Sequence, residues 1–327
     1  MVPVRPSEPG THLASSYALV LLAVTCFVVN AGVSRVVLTS GVSATELASV
    51  RAIGTTLMLG LVVAATGRAR LLRVRRDEVG LLLAYGIVGV ALLHMTYFLA
   101  IERLPIGLAL LLEYLAPVLV ALWVRVVRRE RVRVTLWPAL ALCLAGLALV
   151  AQVGGSGPGL DPVGVLAGLA AAVCFAAYFL LGERLVRHRD PVTTTFWGFA
   201  IASVLWTLVE PWWVPISRTA GQQATLPAAV GSVTVPVSLL LLWVVVLGTL
   251  VPFGVTTAAL RHLSAATVSV VAILEPVGAS LLAWWWFGEA LDLDQLLGVA
   301  LVLSGILLAL RARRPSRQPT LATDSVT

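Results

Sequence analysis

The chain contains no lysine: all 23 of its basic residues are arginine. Charge of either sign is scarce, with 12% of 327 residues ionisable as Asp, Glu, Lys or Arg, about half the share of a soluble globular domain. No polar stretch is long enough to build a soluble domain. Cysteine is almost missing. Cys26, Cys143 and Cys174 each lie alone in an apolar run without metal-ligand spacing, and read as small packing residues. Neither a metal nor a cofactor is expected. There is no His-Glu-x-x-His, no Gly-x-Ser-x-Gly, and no acidic cluster beyond scattered residues such as Asp77 and Glu78. That argues against a membrane-embedded enzyme acting on lipid.

What is present is apolar: 59% of residues, with a mean hydropathy of +0.97. A bilayer core asks for roughly 20 such residues per helical crossing. Ten runs meet that need: Tyr17–Val37, Glu46–Thr66, Val79–Ile101, Pro105–Val126, Val134–Val153, Val163–Leu181, Thr193–Val214, Val237–Leu260, Ala265–Phe287 and Gln295–Leu310. The first is too long for a signal-peptide core and has little positive charge before it, so it reads as a retained helix. Gly154 to Asp161, with Ser156 and Pro158, reads as a turn between halves, since no strand precedes it to make a phosphate loop. Trp137, Trp197, Trp212, Trp213 and Trp284 to Trp286 fall near run ends, where aromatic rings anchor at the interface.

The net charge of +7 is distributed as membrane topology, not as a nucleic-acid-binding face. With the N-terminus inside, the inner loops hold Arg68, Arg70, Arg73, Arg75, Arg76, Arg125, Arg128, Arg129, Arg131, Arg133, Arg184, Arg187, Arg189, Arg261, Arg311, Arg313, Arg314 and Arg317. The outer side receives Arg35, Arg103 and Arg218. This asymmetry predicts an inner (plasma) membrane protein with both termini cytoplasmic.

The halves repeat. Leu104 and Leu263, Pro117 and Pro276, Glu130 and Glu289, and Gly146 and Gly305 are each 159 residues apart, while Cys26-Phe27 and Cys174-Phe175 are 148 apart. The larger spacing implies an insertion in the second half, within the 215–236 loop. Five helices per copy invert the second copy relative to the first. The fold expected is therefore all-α and integral to the membrane: ten transmembrane helices as two inverted-topology five-helix repeats. Residues 1–16 form a cytoplasmic segment, 17–153 repeat one, 154–162 a linker, 163–310 repeat two and 311–327 a disordered cytoplasmic tail.

Tyr97 to Leu122, YFLAIERLPIGLALLLEYLAPVLVAL, and Leu260 to Gly305, with its Glu275-Pro276 and Gly288-Glu289, carry a family likeness. Through them both repeats resemble the drug/metabolite transporter superfamily, specifically its EamA-type permeases. The first stretch, from Ile101-x-Arg103-Leu104-Pro105-x-Gly107 to Leu112-Glu113-Tyr114 before Pro117, is also similar to the threonine/homoserine exporter branch. The resemblance implies export of small metabolites. It departs at Arg129-Glu130, where repeat one lacks the helix-ending Gly of Gly288-Glu289.

A charged side chain near the bilayer centre costs at least about 2.5–3.5 kcal/mol and is kept for a wet interior or a partner. Glu113, Glu275, Arg51 and His94 are so placed. Glu275 matches Ala116, three residues from Glu113, so both acids project towards one central cavity. Pro117 and Pro276 cannot donate to the carbonyls of Glu113 and Ala272, which frees acceptors beside the acids, or simply kinks the helices. Glu113 is open to two readings, an ion pair with Arg51 or direct substrate contact. Glu275 has no basic neighbour in sequence and reads as functional. For His94 a core histidine is preferred over a proton relay. Asn30 and Tyr178, 148 residues apart, read first as interhelical hydrogen-bonding groups. Tyr97, opening the family stretch, completes the candidate substrate or coupling set. Gly164 and Gly168 signal close packing, and Glu130 and Glu289 read as loop anchors.

The expectation is a secondary-active exporter of small polar metabolites, amino acids favoured, working by alternating access with a coupling proton. Its partners would be a small-molecule substrate, membrane lipids and no nucleic acid, as a monomer or homodimer. The alternative on the same fold is a flippase for lipid or lipid-linked metabolites.

Overall fold

A computed structural model describes residues 9–67, 69–104, 106–130, 133–150, 161–209, 221–226, 231–287 and 293–311. Residues 154–160, Pro105, Trp212, Trp213, Arg218, Gly288, Glu289, the tail from 312 and the first eight residues lie outside these, as do Arg68, Arg131, Arg313, Arg314 and Arg317.

The apolar runs become helices because nothing inside them competes with the backbone ladder, and polar caps start them. α1 spans Pro9–Thr39, beginning ahead of the Tyr17 expected from hydropathy. α2, Ala44–Ala65, opens with a capping box in which Ser43 and Glu46 satisfy each other's backbone N–H groups. α3 (Val79–Ala84) continues through π-helical turns at Tyr85–Leu92 into α4 (Leu93–Arg103). α5 (Ile106–Glu113) stops short of α6 (Ala116–Val126), whose first turn holds Pro117. α7 is Leu136–Val150. α8 (Pro162–Val186) is capped by Asp161, which accepts from the N–H groups of Val163 and Gly164. α9 is Pro191–Val209. α10 (Val237–Val245) passes through π-helical turns at Val246–Leu250 into α11 (Val251–Ala259). α12 (Ala265–Ala272) and α13 (Leu274–Phe287) are divided at Ile273, and α14 is Leu293–Arg311.

Eight of the resulting rods are long and apolar enough to cross a membrane, and two shorter apolar helices, Leu136–Leu149 and Leu296–Ala309, accompany them. Large apolar side chains such as Leu57 (68% exposed) and Leu208 (79%) point outward. In water such a surface would aggregate; in lipid it is the matched face. Between helices the contacts are small. Ala48, Ala52, Ala116, Ala121, Ala171 and Ala202 are buried, because in lipid helices associate by close packing and not by expulsion of water.

α7 packs chiefly against α14. A Cβ on Gly146 would sit 2.6 Å from the Gly298 carbonyl and 2.8 Å from Val302; one on Gly305 would sit 2.6 Å from Cys143 Sγ and 2.8 Å from the Ala139 carbonyl. Each contact is the other with its members displaced by 159 residues, and the two helices cross antiparallel there.

Two features were not expected. The segment before α10 forms a hairpin, β1 (Gln223–Thr225) antiparallel to β2 (Thr234–Pro236) with Ala224 opposite Val235. Ala224 and Val237 bury against Val33, Val36 and Val37 of α1. And Arg129 takes φ +55°, the left-handed conformation that glycine adopts freely and other residues adopt at a cost. The helix end thus keeps a glycine-like shape without the glycine.

Candidate functional site

The interruptions in the helices gather the polar groups. At the end of α5, Glu113 precedes a turn at Tyr114 and Leu115, because Pro117 has no N–H with which to continue the ladder. Across the interior, Glu275 lies in the first turn of α13, just after the break at Ile273. The Tyr114 hydroxyl donates to Glu275 Oε2 at 2.8 Å, linking the two breaks directly.

Arg51 projects from the middle of α2. Its Nε donates to Thr249 Oγ1 at 3.0 Å. Thr249 is fully buried and donates in turn to the Val244 carbonyl five residues earlier at 2.8 Å, a bond the π-helical turns make available. The anchor leaves the terminal nitrogens of the guanidinium without a protein hydrogen bond among the described residues. Arg51, Tyr97, Glu113 and Glu275 lie within electrostatic reach of one another. All four side chains are only partly buried although they lie inside candidate membrane spans. Among the described residues Arg51 and Glu113 make no ion pair, and Glu113 accepts no hydrogen bond, which leaves its carboxyl group open to a ligand.

His94 adjoins this group, close enough to feel the Arg51 charge. Its Nδ1 meets the Val90 carbonyl at 2.7 Å, so Nδ1 carries the hydrogen and Nε2 of the neutral ring is an acceptor. Its ring lies 5.8 Å from Phe253 and 6.5 Å from Phe199.

Asn30 and Tyr178 stand one layer away. Asn30 rests on Gly248, where any Cβ would overlap its side chain, and accepts from Ser34 at 3.4 Å. It therefore buttresses the turn that carries Thr249. Tyr178 reaches Thr257 at 3.4 Å and stacks on Tyr85 at 5.6 Å. A chain of rings, Tyr114–Phe175–Tyr178–Phe253–His94, runs beneath the acids.

Sequence reading missed Tyr114 and Thr249. Tyr114 had a signal, standing between Glu113 and Pro117 in the quoted stretch; Thr249 had none. It also counted several arginines only as topology markers. At one end of the bundle Glu183 receives Arg128 (3.1 Å), Arg187 (2.9 Å) and the backbone N–H of Ala265 (3.4 Å). Beside it Arg189 donates to Glu78 at 2.8 Å and to the carbonyls of Leu71, Leu72 and Arg73. The first cluster ties the last turn of α8, and the second the short segment after it, to loops of the first half.

Comparison with known proteins agrees with this architecture. The EamA-like transporter family matches residues 14–152 and again 162–311. An uncharacterized transporter of Archaeoglobus fulgidus is 30% identical over 66% of this chain and 71% of its own length. The threonine/homoserine exporter RhtA of Escherichia coli is 28% identical over 71% and 72%. The uncharacterized inner membrane transporter YicL of Salmonella typhimurium is 24% identical over 76% and 78%. A solved crystal structure shares the fold with a TM-score of 0.70 at 21% identity, over 92% of this chain and 98% of that one.

Proposed function

The chain belongs to the EamA-like transporter family, and we propose that it is a secondary-active exporter of small polar metabolites, with amino acids as the favoured class. One observation carries the reading: a guanidinium whose terminal nitrogens have no hydrogen bond among the described residues and two carboxyl groups converge where two apolar rods are broken. An amino acid offers the complementary pair, a carboxylate for Arg51 and an ammonium group for the acids. Similarity to a protein named as a threonine/homoserine exporter supports the same class.

Transport needs the site to face each side of the membrane in turn. Matching features 159 residues apart support two inverted repeats, 17–153 and 163–310, rocking about this site. Breaks at Tyr114 and Ile273 keep that spacing. The reciprocal antiparallel contacts of Gly146 and Gly305 support a two-fold axis lying across the helices. In this arrangement the two shorter helices also cross, giving ten spans, and the arginine asymmetry puts both termini in the cytoplasm. His94 and Tyr97 flank the substrate, a coupling proton accompanies it, and the protein acts as a monomer or homodimer.

Proteoliposomes loaded with a mixture of amino acids and common metabolites, with and without a pH gradient, test this. Gradient-dependent loss of amino acids is expected, reduced at least tenfold in Arg51→Ala. Retention of every compound by folded, inserted protein would overturn the reading and turn attention to lipid movement.

A further inference from the structure

The two acids are not in equivalent surroundings. Glu275 is the second residue of α13, a 14-residue helix. There the unpaired N–H groups and the positive end of the helix dipole stabilise a fixed anion. It also accepts the Tyr114 hydroxyl at 2.8 Å, which orients one oxygen and leaves the other for a ligand. Glu113 is the last residue of α5, at the opposite kind of helix end, where unpaired carbonyls point the same way as its own charge. It has no hydrogen-bond or ion-pair partner among the described residues. The charged and titratable groups that face it are Arg51 from α2, Tyr97 from α4, Glu275 from α13 and its own neighbour Tyr114.

One guanidinium neutralises one carboxylate. With Arg51 as the one cation in this group among the described residues, the second acid needs another positive charge whenever the site is empty, and a proton is the smallest that serves.

We propose that the two acids divide the work: Tyr114 holds Glu275 as the fixed anion that receives a substrate ammonium group, and Glu113 binds and releases the coupling proton. Tyr114 is then a positioning residue. It acts through Glu275, and its ring keeps its place against Phe175 at 5.9 Å. The division rests on the exporter reading above, yet the assignment of the acids is testable without transport.

Infrared difference spectra between acid and alkaline pH, recorded on the protein in lipid vesicles, report the carbonyl band of any carboxylic acid that gains a proton. The wild type is expected to show one such band from the site. Glu113→Asp moves its frequency and midpoint, while Glu275→Asp leaves both in place. These substitutions keep a carboxyl group, so the charge balance of the site persists. Absence of the band in the wild type, or a band that follows Glu275→Asp and ignores Glu113→Asp, overturns the assignment. In proteoliposomes with L-threonine as the probe, Tyr114→Phe is expected to raise KM about tenfold, the loss of one hydrogen bond to a charged group, with the midpoint of the pH profile unmoved. A lowered kcat at unchanged KM would overturn the positioning role. If the wild type moves no amino acid, the exporter reading fails while the infrared result still decides between the acids.

Discussion

Replacing Arg189 by alanine strips a turn of the side-chain donors to its carbonyls, leaving among the described residues only the Trp197 indole N–H on the Leu72 carbonyl at 3.1 Å. The side chain is 6% exposed. It places Nη1 at 2.8 Å from Glu78 Oε2 and 3.3 Å from the Arg73 carbonyl, and Nη2 at 3.1, 3.4 and 3.3 Å from the carbonyls of Leu71, Leu72 and Arg73. Removing one member of a buried ion pair costs about 3–5 kcal/mol. Glu78 retains 17% exposure, so water repays part of its loss. The lower figure, about 3 kcal/mol, is the expectation. At about 2–4 °C per kcal/mol, the scale for chains of 150–250 residues, that corresponds to a fall of roughly 6–12 °C in Tm. Arg189→Lys falls between, since an ammonium group can meet Glu78 or a carbonyl but not the whole set. Arg75→Ala is the control. Its pair with Asp77 is 3.2 Å long but 75% and 66% exposed, which predicts a change under about 1 kcal/mol. Thermal unfolding of purified protein in detergent, followed by dye labelling of the buried cysteines, reads all three. If Arg189→Ala melts within about 2 °C of wild type, the cage does not bind the two loops together and the reasoning fails.

Gly146→Val should act as overpacking, because its new carbons would meet the Gly298 carbonyl and the Val302 backbone, which cannot rotate away. A loss of about 1–3 kcal/mol is expected, with Gly305→Val comparable because it meets Cys143 and the Ala139 carbonyl; stability equal to wild type in both would refute the α7–α14 contact. Asp161 gives a pH dependence. The Gly164 N–H above all, with the Val163 N–H and the Arg103 side chain, holds its carboxyl below the ordinary carboxylate range. A lowered folded-state pKa means that its stabilisation is present above the unfolded value and is lost as pH falls through the folded one. Protection of the first amides of α8 in hydrogen exchange should therefore weaken in acid, and Asp161→Ala should show weak protection at every pH.

The existence of the helices was legible because a bilayer demands long apolar runs, and few other patterns satisfy that demand. So were the candidates Arg51, Glu113 and Glu275, since a charge in such a run is expensive enough to need a reason. The pairing was not legible. Sign and depth left Glu113 open to an ion pair with Arg51 or to direct substrate contact, and only the structure shows Arg51 held by Thr249, 198 residues away. The arginines at the ends of runs looked like topology markers, and Arg128 and Arg189 turn out to be buried or half-buried partners of Glu183 and Glu78. The hairpin before α10 could not be foreseen either, because strands of three residues carry too little pattern to read.

Composition and hydropathy decided what kind of protein this is, because the cost of exposing a backbone or a charge to lipid acts on every residue alone and needs no knowledge of its neighbours. The internal spacing of prolines and glycines added the likeness between the halves. Which acid accepts a hydroxyl, and which has no hydrogen-bond partner among the described residues, was decided only in three dimensions. Hydrogen bonds depend on distances of a few tenths of an ångström between groups from different helices, and those distances follow from how broken rods pack, not from their order along the chain.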